Sequence, residues 1–338
     1  MPKTIKLSLL FFIVALLFGC QKPKKETELT GDTQGTTYHI KLVLDGLPVT
    51  AQQAQTIISK TLADIDLKLS NYRDDSEIAH VNAVETTDWQ PVSAEIAQLV
   101  SISHSVYQKS NGCYDLTVKP LFDLWGFTKH ENRVPSPAEI AALLPHIGMS
   151  LLEVDTKNNR IRKKDPKLKI DLSSIAQGYS VEVLAKKMEA LGIQNYMVEI
   201  GGEMMVKGRK ADGGDWRVGI VAPTPLTMDV QKIIDIKQQA GSAVMTAGTY
   251  RNFFEEKGHS YSHILNPKTG SPVTHHLLSV TVMHESPTWA DAWDTALLCV
   301  GEQEAARIAE AEKLKVLLVY NKAGKLTEYM SKAFTAAQ

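Results

Sequence analysis

The spacing of apolar residues predicts long helices in the first half of the chain. In residues 51–69 and 94–110, apolar side chains recur every three or four positions, which gives each helix one hydrophobic face. The second helix is followed by Asn111-Gly112, a common helix stop. A further helix is predicted from residue 173 to 191, directly after a short apolar strand at residues 168–171.

Shorter apolar runs predict strands between and after these helices. Residues 36–44 alternate polar and apolar side chains, as expected of a strand with one buried face. The other predicted strands lie at residues 195–200, 204–208, 216–221, 229–236, 261–265, 278–283 and 315–320. Because strands and helices are mixed without strict alternation, the sequence predicts an α+β fold with mixed, largely antiparallel sheets and packed helices. The length allows one large domain or two intimately associated halves.

The N-terminus has a different pattern, which is typical of an export signal. Lys3 and Lys6 precede an apolar run over residues 7–18, which is too short to cross a bilayer comfortably. These features predict a signal peptide over residues 1–19. An uncleaved membrane anchor is the alternative, and with either the body of the protein is expected outside the cytoplasm.

The end of the apolar run matches the lipobox of bacterial lipoproteins. Residues 17–20 are Leu-Phe-Gly-Cys, so we expect cleavage before Cys20 and lipidation of this cysteine. Residues 20–32 are polar and predict a solvated tether. A single domain is predicted from residue 33 to 338, facing the periplasm and held to the inner or the outer membrane by the lipid anchor.

Charge and cysteine content narrow the class of protein. The formal net charge is −1 and no basic stripe is present, which argues against a nucleic-acid partner. Apart from the lipidated Cys20, the mature chain contains Cys113 and Cys299, and an oxidising compartment would permit a disulfide between them. However, Cys299 lies in an apolar run at residues 296–300, as a packed core residue would. We therefore predict two free thiols.

Several common catalytic motifs are missing from the sequence. It has no CxxC, HExxH or GxSxG motif, and no Walker A or GxGxxG loop. Zinc sites of those types, lipase-type serine chemistry and the ordinary nucleotide-binding folds are therefore unsupported.

A cluster of oxygen-bearing side chains is predicted near the C-terminus. Asp291, Asp294 and Thr295 are spaced i, i+3 and i+4, which places them on one face of a helix. Carboxylate and hydroxyl oxygens are ligands that Mg²⁺ accepts, usually together with substrate phosphates. The alternative is a capping role, with Thr288 as N-cap and Asp291 as its capping-box partner.

Two other segments carry candidate chemistry. At the start of the helix predicted from residue 173, Ser173 and backbone N–H groups suit a phosphate, and Asp171 could accept hydrogen bonds from a base or ribose. Simple N-capping by Asp171 or Ser173 is equally consistent with this pattern. His263 stands at a predicted strand end beside an Asn-Pro turn, where it suits acid–base catalysis or a hydrogen-bonded surface position.

Eight sequence blocks, taken in order, resemble the ApbE family of FAD:protein FMN transferases. The resemblance extends from about residue 33 to the C-terminus. The blocks lie at residues 34–38, 70–78, 111–121 with 124–127, 171–179, 199–203, 216–220, 262–273 and 290–297.

The resemblance implies an ApbE fold, which is T-fold-like, and a set of site residues. FAD, the substrate, would contact Gln34, Tyr72, Cys113, Tyr114, Asp115, Asp171, Gln177 and Leu265. Mg²⁺ would be held by Ser174, through its backbone carbonyl, and by Asp291, Asp294 and Thr295. His263 matches the family histidine to which catalysis is assigned.

The implied reaction is Mg²⁺-dependent transfer of FMN from FAD to a Thr or Ser hydroxyl of an acceptor protein, with release of AMP. Implied partners are subunits of envelope electron-transfer complexes. Two alternatives are a periplasmic FAD pyrophosphatase that gives FMN and AMP, and a non-catalytic FAD-binding lipoprotein.

The chain departs from the family pattern at four of these positions. Gln34 stands where Met is usual, Cys113 where Ala or a similar residue is usual, and Tyr114 where Phe is frequent. Gln177 replaces a frequent Lys, which removes one positive partner for the pyrophosphate.

Overall fold

The computed structural model describes residues 25–128, 131–223, 229–237 and 240–337. The predicted signal peptide and the lipidated Cys20 lie outside the described residues. Within them, no helix combines the length and the apolar character that crossing a membrane requires.

The helices of the described chain include both long helices predicted from the apolar spacing. The first of these begins with a capping box formed by Thr50 and Gln53. The helices are α1 Ala51–Leu69, α2 Glu77–Ala83, α3 Ala94–Lys109, α4 Lys119–Trp125, α5 Pro137–Leu143, α6 Ser173–Ala190, α7 Pro287–Val300, α8 Glu302–Ala311 and α9 Lys332–Ala336.

The strands form one large sheet and several small ones. They are β1 Thr27–Thr33, β2 Thr36–Leu42, β3 Trp89–Pro91, β4 Leu152–Asp155, β5 Arg160–Lys163, β6 Tyr196–Ile200, β7 Glu203–Lys207, β8 Trp216–Val221, β9 Val230–Ile236, β10 Ser242–Gly248, β11 Phe253–Glu256, β12 His259–Ser262, β13 Leu265–Asn266, β14 Ser271–Pro272, β15 Leu277–His284, β16 Lys315–Lys322 and β17 Lys325–Met330. The large sheet has the order β1-β2-β6-β7-β10-β15-β16-β17, and each of its pairings is antiparallel. The predicted α+β class with largely antiparallel sheets is confirmed.

Both faces of the large sheet are covered. On β16, Val316 and Leu318 belong to the main hydrophobic core, which also contains buried residues of α1, α3, α6 and α7. Leu317 and Val319 point the other way, into a second cluster formed with the β8–β9 hairpin and Phe334. A strand buried on both faces needs a continuous apolar run, and the sequence of β16 provides one.

Two local predictions differ from the structure. The tether predicted over residues 20–32 ends earlier, because β1 pairs with β2 along its whole length. An edge strand that buries alternate side chains only partly can be polar, so its composition resembles that of a linker. Residues 168–171 are not a strand, because the Asn82 side chain binds the N–H and C=O of Ile170 in place of a neighbouring strand.

The prediction of two free thiols is wrong. Cys113 and Cys299 form a disulfide, with their Cα atoms 5.8 Å apart. Cys299 is a buried core residue, as predicted. However, 186 positions separate the two cysteines in the sequence, so only the tertiary packing brings them together.

Helices α6 and α7 approach each other closely at Gly178. A Cβ atom at this position would lie 2.5 Å from the Cβ of Asp291 and 2.6 Å from the carbonyl oxygen of Pro287. Both distances are well inside van der Waals contact, so only glycine permits the observed packing.

We expect Gly178→Ala to destabilise the protein by about 1–3 kcal/mol through overpacking. Helix propensity alone would make the alanine variant about 1 kcal/mol more stable than the glycine protein. A loss of stability would therefore show that the steric clash is the cause. Urea unfolding measures the change. Gly219→Ala is the matched control, because a Cβ there would lie 3.4 Å from Val230, in ordinary contact. A Gly178→Ala protein as stable as the wild type would contradict this account of the packing.

Candidate functional site

The first turns of α6 and one face of α7 form the floor of a cavity of about 280 Å³. The walls come from the loop after α1, the ends of β7 and β10, and the segment that contains His263. The cavity brings together Tyr72, Asp171, Ser174, Gln177, His263, Asp291, Asp294 and Thr295, all predicted from the sequence.

The other predicted site residues line two adjoining cavities. Gln34 lines a cavity of about 200 Å³ that shares Tyr72 and Gln177 with the first. A smaller cavity of about 50 Å³ shares Asp171, Ser174 and His263 with the first. Its other predicted residues are Cys113, Tyr114, Asp115 and Leu265. The fold therefore gathers every predicted site residue of the described chain into one connected cleft.

Three buried carboxyl groups interact electrostatically in this cleft. Burial raises the pKa of Asp291 to about 7, and burial together with the charge of Asp291 raises that of Glu203 to about 8. Burial and the charges of both neighbours raise the pKa of Asp294. The guanidinium of Arg251 is 4.0 Å from the Glu203 carboxylate and offsets part of this repulsion.

Glu203 is a site residue that we did not predict. It belongs to the block at residues 199–203 that resembles the ApbE family, but a single glutamate after two glycines carries no pattern of its own. In the structure it begins β7 and accepts a hydrogen bond from the Thr246 amide at 2.9 Å. This contact fixes its carboxylate at the edge of the cavity.

The orientation of the α7 carboxylates is set by nearby hydrogen bonds. The backbone N–H of Gly178 donates to Oδ2 of Asp291 at 2.7 Å, and Thr295 Oγ1 donates to Oδ1 of Asp294 at 3.3 Å. The alternative interpretation with Thr288 as N-cap is wrong. Ser286 caps α7, and Thr288 donates instead to Glu182.

The metal ligands predicted from the sequence are all oxygen donors, the kind of donor that Mg²⁺ accepts. Among the described residues, no three His, Cys, Asp or Glu side chains are grouped as a ready metal cluster. The predicted ligands instead combine two carboxylates with the Thr295 hydroxyl and the Ser174 carbonyl. Mg²⁺ is commonly held by one or two carboxylates and completes its coordination with phosphate oxygens. A cation there would also relieve the repulsion among the buried carboxyl groups.

The start of α6 combines features of both earlier interpretations. The Asp171 carboxylate accepts a hydrogen bond from the Ser173 amide at 2.8 Å, and another from its hydroxyl. The residue at the N-cap position, Leu172, offers no side-chain acceptor. Asp171 therefore holds the turn into α6 and also lines the cavity.

The imidazole of His263 has the tautomer that a general base requires. Its Nδ1 lies 2.9 Å from the carbonyl oxygen of Asn252 and must donate a hydrogen there, which leaves the lone pair on Nε2 free. Burial lowers the pKa of His263, and the positive charge of Arg251 lowers it further. The ring is therefore neutral at pH 7.

The side of the cleft around Gln34 contains buried polar atoms without a protein partner. Gln34 Nε2 donates to Ser180 at 2.6 Å, whereas its Oε1 accepts nothing from the described residues. Both amide atoms of Asn71, beside the exposed ring of Tyr72, are also unpaired in the described chain. Asn71 was not among the predicted flavin contacts. Buried polar atoms of this kind are expected where a polar ligand completes the hydrogen bonding.

Two of the predicted flavin contacts already have partners within the protein. The Asp115 carboxylate accepts hydrogen bonds from the Thr117 amide, the Thr117 hydroxyl and the Met149 amide at 2.5–3.0 Å. The Tyr114 hydroxyl lies 3.2 Å from Ser174 Oγ. These residues shape the wall of the cleft, and their contact with flavin stays a prediction.

Comparison with known proteins identifies the family of this chain. Residues 34–318 match the ApbE family. The chain is 37% identical over 321 residues to a FAD:protein FMN transferase of Vibrio cholerae, covering 94% of this chain and 95% of the relative. The flavin transferase ApbE structure from Vibrio cholerae has a TM-score of 0.85 at 35% identity, covering 93% of this chain and 99% of the other. The apo flavinyl transferase ApbE of Pseudomonas stutzeri gives 0.84 at 35% identity, with 93% and 96% coverage. The protein therefore belongs to the ApbE family.

Proposed function

We propose that this protein transfers FMN from FAD to a Thr or Ser hydroxyl of an acceptor protein. The observation that carries the proposal is that the free Nε2 of His263 and the carboxylates of Asp291 and Asp294 line one cavity. The relatives named above are FAD:protein FMN transferases and flavin transferases, and their similarity extends over nearly the whole chain.

The side chains have separate tasks in the proposed reaction. His263 takes the proton of the acceptor hydroxyl at Nε2 as the oxygen attacks the phosphorus of the FMN half. The pyrophosphate bond to AMP breaks, and FMN stays on the acceptor as a phosphoester. When bound by Ser174, Asp291, Asp294 and Thr295, Mg²⁺ would neutralise negative charge on the pyrophosphate and on the leaving AMP.

The same residues could also direct water at the phosphorus, which would make the protein an FAD pyrophosphatase. One experiment separates the reactions. The protein is incubated with FAD, Mg²⁺ and a candidate acceptor domain, and covalent flavin fluorescence on the acceptor is compared with the amount of AMP. Fluorescent acceptor with matching AMP supports transfer. AMP released equally without acceptor indicates hydrolysis, and no AMP with any acceptor tested indicates a non-catalytic FAD-binding protein.

For the cellular setting, we propose a lipoprotein that faces the periplasm, anchored through Cys20, whose acceptors are subunits of envelope electron-transfer complexes. The sequence pattern of residues 1–20 supports export. The Cys113–Cys299 disulfide is also in keeping with an oxidising compartment.

We expect His263→Ala to reduce the transfer rate by about 10²–10⁴-fold while FAD binding persists, because the substitution removes the general base and leaves the α6–α7 floor intact. Single-turnover labelling of the acceptor measures the rate, and flavin fluorescence measures binding. His276→Ala is the control, since His276 is exposed and lies outside the cavity. Undiminished transfer by His263→Ala would remove this residue from the mechanism.

The pH dependence of kcat/KM should also report on His263. At saturating Mg²⁺, which keeps the carboxylates of the metal site ionised, the lowered pKa of His263 should place the midpoint of the acid limb below 6.5. A midpoint above 6.5 would show that another group, or a protonated His263, controls the rate.

Mg²⁺ should stabilise the protein more at pH 8 than at pH 5. The raised pKa values of Asp291 and Glu203 mean that the metal-free fold binds more protons than the unfolded chain between about pH 4 and 8. Its stability therefore falls as the pH rises through this range. A cation that binds the ionised carboxylates restores this stability, by about 2.7 kcal/mol when its concentration is 100 times the Kd.

Thermal unfolding with and without Mg²⁺ at the two pH values measures this effect. We expect Asp294→Asn to lose the Mg²⁺-dependent gain, whereas Asp235→Asn, on the exposed surface of β9, should keep it. An equal gain at pH 5 and pH 8, or a full gain in Asp294→Asn, would contradict the assignment of the metal site.

A further inference from the structure

The Cys113–Cys299 disulfide lies inside the cleft and connects its two sides. Both cysteines line the cavity of about 50 Å³, together with Asp171, Ser174 and His263. Cys299 is one helical turn beyond Thr295 on α7, the helix that carries the acidic face. Cys113 immediately precedes Tyr114, whose buried ring reaches the start of α6. The disulfide therefore lies between the wall of the flavin cleft and the proposed metal ligands.

The hydrogen bond and the ion pair that join residues 109–114 (the Cys113 segment) to the C-terminal helices are at the protein surface, whereas α3, which leads into this segment, packs against α7 in the main core. Lys109 forms an ion pair with Glu312, and Asn111 Nδ2 donates to Glu304 Oε1 at 3.3 Å. Exposed polar pairs of this kind contribute little stabilisation. Within the segment, the Cys113 amide donates to the Ser110 carbonyl and the Tyr114 amide donates to the Ser110 hydroxyl. Both hydrogen bonds are local and do not reach α7. The disulfide is thus the covalent connection between this segment and α7, in addition to the packing of α3 and α7 in the main hydrophobic core.

We propose that the Cys113–Cys299 disulfide is a positioning cross-link of the active site, and that opening it with a dithiol lowers the affinity for FAD. The cross-link fixes the distance between the Tyr114 wall, which meets Ser174, and the α7 residues Asp291, Asp294 and Thr295. Without it, the two sides of the cleft separate more easily, and the FAD–Mg²⁺ complex must restore their spacing when it binds. This inference rests on the proposed function in one respect, namely that FAD is the ligand.

The chemistry of opening is ordinary thiol–disulfide exchange. One thiolate of dithiothreitol attacks a sulfur of the disulfide and forms a mixed disulfide, and the second thiol of the reagent then closes a ring. Two electrons and two protons pass to the protein, which is left with two cysteine thiols, while dithiothreitol becomes its cyclic disulfide. No metal or other co-reactant is needed.

Thermodynamic linkage gives the proposal a second consequence, which a separate measurement can check. If the oxidised protein binds FAD more tightly than the reduced protein, bound FAD must favour the oxidised form by the same factor. The equilibrium between disulfide and dithiol in a dithiothreitol redox buffer should therefore shift toward the disulfide when FAD and Mg²⁺ are added.

The test uses full-length protein, oxidised or reduced with dithiothreitol, and the variants Cys113→Ala and Cys299→Ala. The Kd for FAD with Mg²⁺ is measured by flavin fluorescence at a temperature where every variant is folded. We expect reduction to raise the Kd of the wild type about fivefold or more. Both variants should show the raised value and should not respond to dithiothreitol. The redox equilibrium of the wild type should shift with FAD by the same factor.

A matched control separates positioning from general stability. Ile220→Ala removes buried side-chain volume from β8, in the second hydrophobic cluster, away from the cleft. It should lower the unfolding temperature yet leave the Kd for FAD unchanged. The proposal is overturned if reduction lowers the unfolding temperature of the wild type but changes neither its Kd for FAD nor its redox equilibrium with FAD.

These measurements do not depend on transfer to an acceptor. A protein whose FAD affinity follows the state of the disulfide, but which labels no acceptor, would contradict the proposed transferase activity and leave the positioning role intact. Full transfer activity with a Kd for FAD that is the same in the oxidised and the reduced protein would support the transferase activity and contradict the positioning role.

Discussion

The hydrogen bond from the Gly178 amide to the Asp291 carboxylate is the contact around which the cleft is built. It forms because α6 and α7 lie so close that a Cβ at Gly178 would overlap Asp291. One helix brings Ser174 to the cavity and the other brings Asp294, so the spacing of the two helices sets the spacing of the proposed metal ligands. The disulfide at Cys299 joins the same helix α7 to the opposite side of the cleft.

The cleft retains unfavourable electrostatics that a structural core would avoid. The carboxyl groups of Glu203, Asp291 and Asp294 are buried near one another, and Arg251 balances them only in part. Burying charge without full compensation reduces stability, and proteins keep such arrangements chiefly where function needs them. A cation at the proposed metal site would balance the negative charge of both the carboxylates and a bound pyrophosphate.

The unpaired polar atoms of Gln34 and Asn71 form the complementary part of the cleft. Oε1 of Gln34 and both amide atoms of Asn71 have lost water without gaining a partner in the described chain, so a bound ligand that supplies hydrogen bonds recovers this cost. The exposed ring of Tyr72 lies beside them and offers a flat apolar face. The unpaired amide atoms and the Tyr72 ring thus lie next to the proposed metal site. This arrangement suits a dinucleotide that has an aromatic ring and a pyrophosphate.

The sequence by itself determined the properties that depend on neighbouring residues. The spacing of apolar residues gave the positions of α1 and α3, and the i, i+3, i+4 spacing placed Asp291, Asp294 and Thr295 on one face, because helix geometry is local. The order of sequence blocks was sufficient for the family. Strand β1 was missed because an edge strand needs few apolar residues to form hydrogen bonds with its neighbour.

Only the tertiary structure decided which distant residues meet. Three contacts join positions far apart in the chain. Cys113 pairs with Cys299, the Asn82 side chain takes the place of a strand partner at Ile170, and Glu203 lies beside the α7 carboxylates. Such contacts result from the packing of whole helices and strands, which no local pattern encodes. The same packing withdraws the carboxyl groups from water, and it is this burial that gives them their raised pKa values.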